Sequence, residues 1–254
     1  MTETTQPLAL AVSPARSADY LALVRPRVAV MVLITVLMGG LLAAESPVPS
    51  LTLIHAILAT GLVTAAASII NQWLERHTDA RMHRTANRPL PAGRLGNREV
   101  LMLGIVLAVV GLGYMLLAVP QPLAPAVTAF TFVSYLGLYT PMKRVTTLNT
   151  LIGAVPGAMP PVIGWVAVRG RIDAGAVLVF LILFVWQVPH FLAIAWMYRD
   201  DYARAGLKML SVGDKKAGRT AHQMLLYGLA LVPVSLAPAQ LGMGGPWYAI
   251  GAAL

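Results

Sequence analysis

Apolar residues fill the chain in long runs separated by short polar breaks. The runs lie near 28–44, 52–71, 100–119, 124–140, 148–168, 174–196 and 222–238. Each is about long enough to cross a ~30 Å hydrocarbon layer as a helix. The pattern therefore predicts seven transmembrane helices. An eighth run starts near Trp247 and reaches Leu254, about ten residues short of a span. The breaks between runs are unequal. Those at AESPVPS, VPQPLA and VRGRID are short, whereas 72–99 and 197–221 are long and polar. Loops of that length are usually functional or disordered. These two are dense in acids, arginines and aromatics, which favours function.

Composition agrees with a membrane bundle and narrows its orientation. Hydrophobic residues make up 57% of the 254 positions and charged residues 11%, where a soluble domain carries about 25%. The formal charge of +9 could suggest a nucleic-acid partner, but its placement points elsewhere. With the N-terminus inside, 17 of the 19 Lys and Arg residues fall on one side, and only Arg169 and Arg171 fall on the other. Such a bias is the positive-inside signature. The chain lacks cysteine, so disulfides and thiolate metal sites are excluded. Its first twenty residues carry no basic stretch followed by an apolar one, so no cleaved secretory signal is expected. A bacterial inner membrane is the expected address, with 1–24 a flexible cytoplasmic tail and 1–254 a single membrane-embedded domain.

The chemistry concentrates at the inner ends of the second and sixth spans. Asn71, Glu75 and Asp79 recur every fourth residue, a spacing that sets an amide and two carboxylates on one helix face. Oxygen donors of this kind suit Mg²⁺, which completes its shell with water and substrate phosphates. Arg84 and Arg88 follow as phosphate donors. The alternative is a helix end whose charges snorkel to the headgroups; the whole set in this order favours the metal–diphosphate reading. The adjacent carboxylates of Asp200 and Asp201 would repel unless a cation or arginine neutralised them. They read either as a second Mg²⁺-binding edge or as an acidic turn balanced by Arg199 and Arg204. Lys143 and Arg144 form a third basic point, for orientation or for diphosphate contact. His190 is the one histidine deep in a span, which defaults to a functional hypothesis. The fifth span holds Pro156, Pro160 and Pro161 among Gly153, Gly157 and Gly164. Two readings are open: close packing through small residues, or a bent helix making room for a long apolar substrate.

Four stretches resemble one family: MHRTANRPL at 82–90, YTPMKR at 139–144, NTLIGAVPGAMPPVIGW at 149–165 and WQVPHFLAIAWMYRDDYARAG at 186–206. They resemble the UbiA superfamily of intramembrane prenyltransferases and, within it, the protohaem IX farnesyltransferases. The resemblance runs from about residue 25 to 213. It implies an all-α, polytopic transmembrane bundle of the UbiA type with a central cavity open to lipid. The resemblance implies about nine helices, of which about eight are expected here, with the C-terminal one or ones expected to be missing. It implies Mg²⁺-dependent transfer of a farnesyl group from farnesyl diphosphate to a vinyl group of haem B, giving haem O, with haem B a substrate rather than a cofactor. Carried over by position, Asn71, Glu75 and Asp79 hold metal and diphosphate, with Asp200 and Asp201 on the second motif. Arg84, Arg88, Lys143 and Arg144 clamp phosphate oxygens, and His190 is the haem-side candidate. Haem A synthase or terminal oxidase assembly factors are the implied protein partners. One departure is Glu75, where aspartate is more usual. A prenyltransferase acting on an aromatic or quinone precursor, and a membrane transporter, are the rival readings.

Overall fold

The structure, a computed structural model, describes residues 16–45 and 47–253. The helices are α1 (Arg16–Val24), α2 (Pro26–Ala43), α3 (Ser50–Asp79), α4 (Asn97–Ala118), α5 (Leu123–Val133), α6 (Thr140–Met142), α7 (Asn149–Arg169), α8 (Ala174–Met197), α9 (Arg199–Arg204), α10 (Leu210–Gly213), α11 (Gly218–Gln240) and α12 (Pro246–Ala253). A π-helical segment, Ser134–Tyr139, joins α5 to α6. Seven stretches are long and apolar enough to cross a membrane, and they fall on the seven expected runs. Among the described residues no strand occurs.

The bundle is organised around α7. Two thirds (67%) of its apolar window is buried, against 6% for α11, so α7 is the central post and α11 a peripheral stave. α7 packs against α2 on one side and α8 on the other, α8 carries α11, and α3 pairs along α4. Outward faces are aliphatic: Leu117, Val109 and Leu51 are exposed. Apolar surface on that scale belongs against lipid rather than water.

Of the two readings of the fifth span, close packing describes what this helix does. Pro156, Pro160 and Pro161 are buried inside it. Lacking side chains, Gly39 of α2 and Gly164 of α7 let the two backbones meet: a Cβ on Gly39 would strike the Pro161 carbonyl, and one on Gly164 the Val36 carbonyl. The absence of side chains likewise makes room beside Gly157 for Gln187 of α8, and beside Gly153 for the Tyr139 ring. Small residues let membrane helices gain van der Waals contact where no hydrophobic drive exists between them.

The N-terminal expectation needs a correction. Residues 1–15 lie outside the described residues, but 16–24, expected as part of a flexible tail, form α1. Four long-range contacts to three partners hold it: Asp19 pairs with Arg94 at 2.9 Å, Gln72 Nε2 donates to the Leu23 carbonyl at 2.7 Å, and Glu99 takes both Arg16, at 2.8 Å, and the Tyr20 hydroxyl. All three partners lie far along the chain, so local sequence does not reveal them.

Gly164→Ala should lower the Tm in detergent by overpacking, at a cost of about 1–3 kcal/mol. Gly113→Ala, where a Cβ meets nothing within 4 Å, should leave the Tm unchanged; equal Tm values for both variants would contradict the close α2–α7 contact.

Candidate active site at the inner ends of the spans

α3 is long because its polar end continues the apolar helix without a breaker; it carries Asn71, Glu75 and Asp79 on successive turns before ending at Asp79. Asn71 and Asp79 are buried, each 1% exposed. Carboxylates in such surroundings are costly unless paired, and the partners arrive from two other elements. Lys143, just beyond α6, donates to Glu75 Oε1 at 2.7 Å. Arg88, from the loop after α3, donates to Asp79 Oδ2 at 2.6 Å. Asn71 Nδ2 donates to the Thr140 hydroxyl at 3.1 Å, and Arg144 bonds the Thr78 hydroxyl.

The loop 80–96 is a coil of consecutive turns. Met82 N bonds to the Asp79 carbonyl, Thr85 N to Met82, Arg88 N to Thr85 and Ala92 N to Arg88. The Thr85 hydroxyl returns to the Asp79 carbonyl at 2.9 Å. This winding places Arg88 back over Asp79, nine residues earlier. Met82 packs among Ala195, Ala205, Leu207 and Met209, so the loop docks on the second acidic segment. The third loop joins in as well: Lys208 N donates to the Lys143 carbonyl at 2.8 Å, and Asn149 Nδ2 to the Lys208 carbonyl at 2.8 Å.

Electrostatics follow from this packing. Burial alone would lower the pKa of the Lys143 ammonium, but Tyr139 and Glu75 beside it more than offset that and hold it above the usual lysine value. The Lys143 Nζ also sits over the Tyr139 ring, 4.4 Å from its centroid. Burial, with the charges of Arg25 and Arg84 nearby, brings Arg88 below the usual arginine range despite Asp79.

The second motif is engaged by groups of the protein itself. Asp201 accepts the backbone N–H groups of His83 at 3.3 Å and Arg84 at 3.4 Å, and pairs with Arg204. Partial desolvation opposes these bonds, yet they hold its carboxyl below the usual carboxylate range. Asp201 therefore fastens the 80–96 loop to α9. Asp200 is 85% exposed and lies 3.7 Å from Arg199. Among the described residues no group of three or more His, Asp or Glu side chains is gathered together. His190 is also apart: its ring stacks on Trp186 at 4.9 Å, on an exposed part of α8. Arg84 reaches Tyr198, with its guanidinium 4.7 Å from the ring centroid.

Sequence reasoning passed over Thr140, Thr78, Tyr139 and Arg25. The first three are ordinary residues until the fold brings their partners to them. Arg25 gives no signal in the sequence: its left-handed backbone, φ 54° just before Pro26, is uncommon outside glycine and is seen only in the structure.

Residues 32–254 match the UbiA prenyltransferase family. The chain belongs to the UbiA prenyltransferase family. A relative from Solibacter usitatus (strain Ellin6076), protoheme IX farnesyltransferase, is 47% identical over 93% of this chain and 84% of its own. Among solved structures, a digeranylgeranylglyceryl phosphate synthase superposes with a TM-score of 0.77 at 19% identity, over 93% of this chain and 82% of that one. A UbiA homolog from Archaeoglobus fulgidus bound to GPP and Mg²⁺ gives 0.71 at 13% identity, over 92% and 82%. Those likenesses establish the UbiA fold and a multi-pass membrane protein.

The bonds above leave Asn71 Oδ1, Glu75 Oε2 and Asp79 Oδ1 uncommitted. Three oxygen donors on one helix face fit Mg²⁺, which favours carboxylate and carbonyl oxygens and water.

The Asp201 clamp has a pH signature. A carboxyl whose folded-state pKa is depressed contributes stability above its unfolded value, about 3.9, and loses it as pH falls through the lower folded value. Hydrogen exchange of the His83 and Arg84 amides, corrected for intrinsic rates, should stay slow near pH 6 and accelerate below about pH 4. Asp201→Ala should exchange fast at both; protection unchanged by that substitution would contradict the clamp.

Proposed function

We propose that this chain transfers the farnesyl group of farnesyl diphosphate to a vinyl group of protohaem IX, making haem O. The observation that carries the reading is the paired row at the mouth of α3, Glu75 with Lys143 and Asp79 with Arg88, in a chain whose relative bears the name of that activity. A carboxylate row with cations across it can take a metal–diphosphate complex by exchanging partners: carboxylate oxygens turn to the metal, and the freed cations turn to phosphate oxygens.

Asn71, Glu75 and Asp79 would hold Mg²⁺, which supplies Lewis-acid neutralisation of the leaving diphosphate. Arg88, Lys143, Arg84 and Arg144 bind phosphate oxygens and stabilise the charge that develops there as the allylic C–O bond breaks. Thr140 fixes the Asn71 amide, and Asp201 fixes the loop that carries Arg84 and Arg88. The apolar bundle keeps water from the farnesyl carbon until the vinyl carbon has bonded to it. The positive charge then rests on the carbon next to the porphyrin ring, where the oxygen of a water molecule adds and loses a proton. His190, on exposed α8 beside Trp186, is the candidate contact for the haem side. The cytoplasmic side of a bacterial inner membrane is the address that the basic loops support, and haem A synthase or oxidase assembly factors are the partners that this product suggests.

Supplying purified protein in nanodiscs with farnesyl diphosphate, Mg²⁺ and protohaem should yield haem O by pigment extraction. Asp79→Ala should reduce the yield by about a hundredfold to a thousandfold, the scale of losing a main electrostatic contact, while the protein remains inserted and helical. Near-normal haem O from Asp79→Ala would remove that residue from the site. Prenylation of a quinone precursor, with protohaem left untouched, would overturn the substrate assignment.

A further inference from the structure

A second cation-rich cleft lies beside the carboxylate row. It has a volume of about 500 Å³ and is lined by Arg25, Arg27, Arg84, Arg88, Arg94 and Gln72 among others, none of them acidic. Two of its arginines are occupied: Arg88 by Asp79 and Arg94 by Asp19. Among the described residues no carboxylate pairs with Arg25, Arg27 or Arg84. Arginines left unneutralised around a concave surface ask for an anionic ligand.

The cleft is built rather than accidental. Arg25 sits at the α1–α2 junction with φ 54° and ψ 64°, a strained conformation for a side-chain-bearing residue that persists only where surroundings impose it. They do so on both sides. Gln72 of α3 holds the Leu23 carbonyl two residues earlier, and Pro26 starts α2 immediately after. The resulting corner presents Arg25 and Arg27 to the 80–96 loop at the membrane edge. The Arg25 charge is close enough to press on Arg88, so the cleft adjoins the diphosphate site through Arg88 and Arg84 and extends away from it.

We propose that this cleft binds the two carboxylates of the acceptor porphyrin, with Arg25 and Arg27 as the contacting residues, an inference that rests on the function proposed above. The acceptor is an amphipathic disc whose reacting vinyl groups are apolar and whose propionates are anionic. A bundle that presents vinyl to the farnesyl carbon must settle the propionates somewhere polar, since a bare carboxylate in hydrocarbon is costly. Arginine suits that task because its planar fork binds carboxylates in pairs of hydrogen bonds. Placed at the interface, the cleft also sets the disc upright, with its charged edge toward water.

The test uses full-length protein in zwitterionic nanodiscs, wild type and the double variant Arg25→Gln/Arg27→Gln. Protohaem and its dimethyl ester are titrated by Soret absorbance, and KM is measured for farnesyl diphosphate. The expected result is about tenfold weaker protohaem binding in the variant, ester binding that the variant leaves unchanged, and a KM for farnesyl diphosphate that changes less than the protohaem affinity, with unchanged far-UV ellipticity reporting an intact fold. Wild type binding ester and free acid equally would overturn the proposal. A raised KM for farnesyl diphosphate with protohaem binding intact would assign the cleft to diphosphate instead. A defect seen only in nanodiscs containing anionic lipid would assign it to a lipid headgroup. Absence of haem O from wild type, by contrast, is a failure of the proposed function and leaves these binding results separate.

Discussion

Two carboxylates at the buried end of α3 need counter-charges, and the inner half of the molecule is arranged to supply them. Asp79 and Glu75 cannot stand ionised among helices without partners. Arg88 and Lys143 answer from different loops, at 2.6 Å and 2.7 Å. To bring Arg88 there, the loop winds through successive turns and is fastened to α9 by Asp201. To bring Lys143 there, the fourth span ends in a π-helical segment and a short α6, whose Thr140 also holds Asn71. Paired charges of this sort add little stability by themselves. Their value is that each pair can open toward a ligand carrying the complementary charges.

The outer half obeys a different constraint. There the charges lie at the helix ends, as in the Arg169–Glu45 pair, and between those ends the helices need only surface to share. Glycines on α2 and α7 and the prolines of α7 provide it, so a rigid post runs through the bundle beneath a polar cap. Rigidity below and ion pairs above suit a site that must hold a charged leaving group still while an apolar chain lies in the membrane.

Much of this was legible in the residues. The seven runs predict the seven spans because apolar length is a local property, and the recurrence of Asn71, Glu75 and Asp79 places them on one face by helix geometry alone. Lys143 and Arg88 stood out as cations, but their pairing with particular acids depends on how loops fold back. Asp201 illustrates the limit. As an acid beside another acid it reads as a metal edge or as a turn balanced by arginines; that backbone amides from His83 and Arg84, more than a hundred positions away, also bond its oxygens depends on the fold. α1 escaped for the same reason, since Arg94, Gln72 and Glu99 that hold it are distant in sequence.

Calorimetric titration of the protein with a non-reacting farnesyl thiodiphosphate, with and without Mg²⁺, tests the partner exchange most directly. The paired carboxylate row predicts binding at least about tenfold tighter with Mg²⁺ present, because only a cation lets Glu75 and Asp79 release Lys143 and Arg88 to the phosphates. Equal affinity without any divalent cation would contradict it.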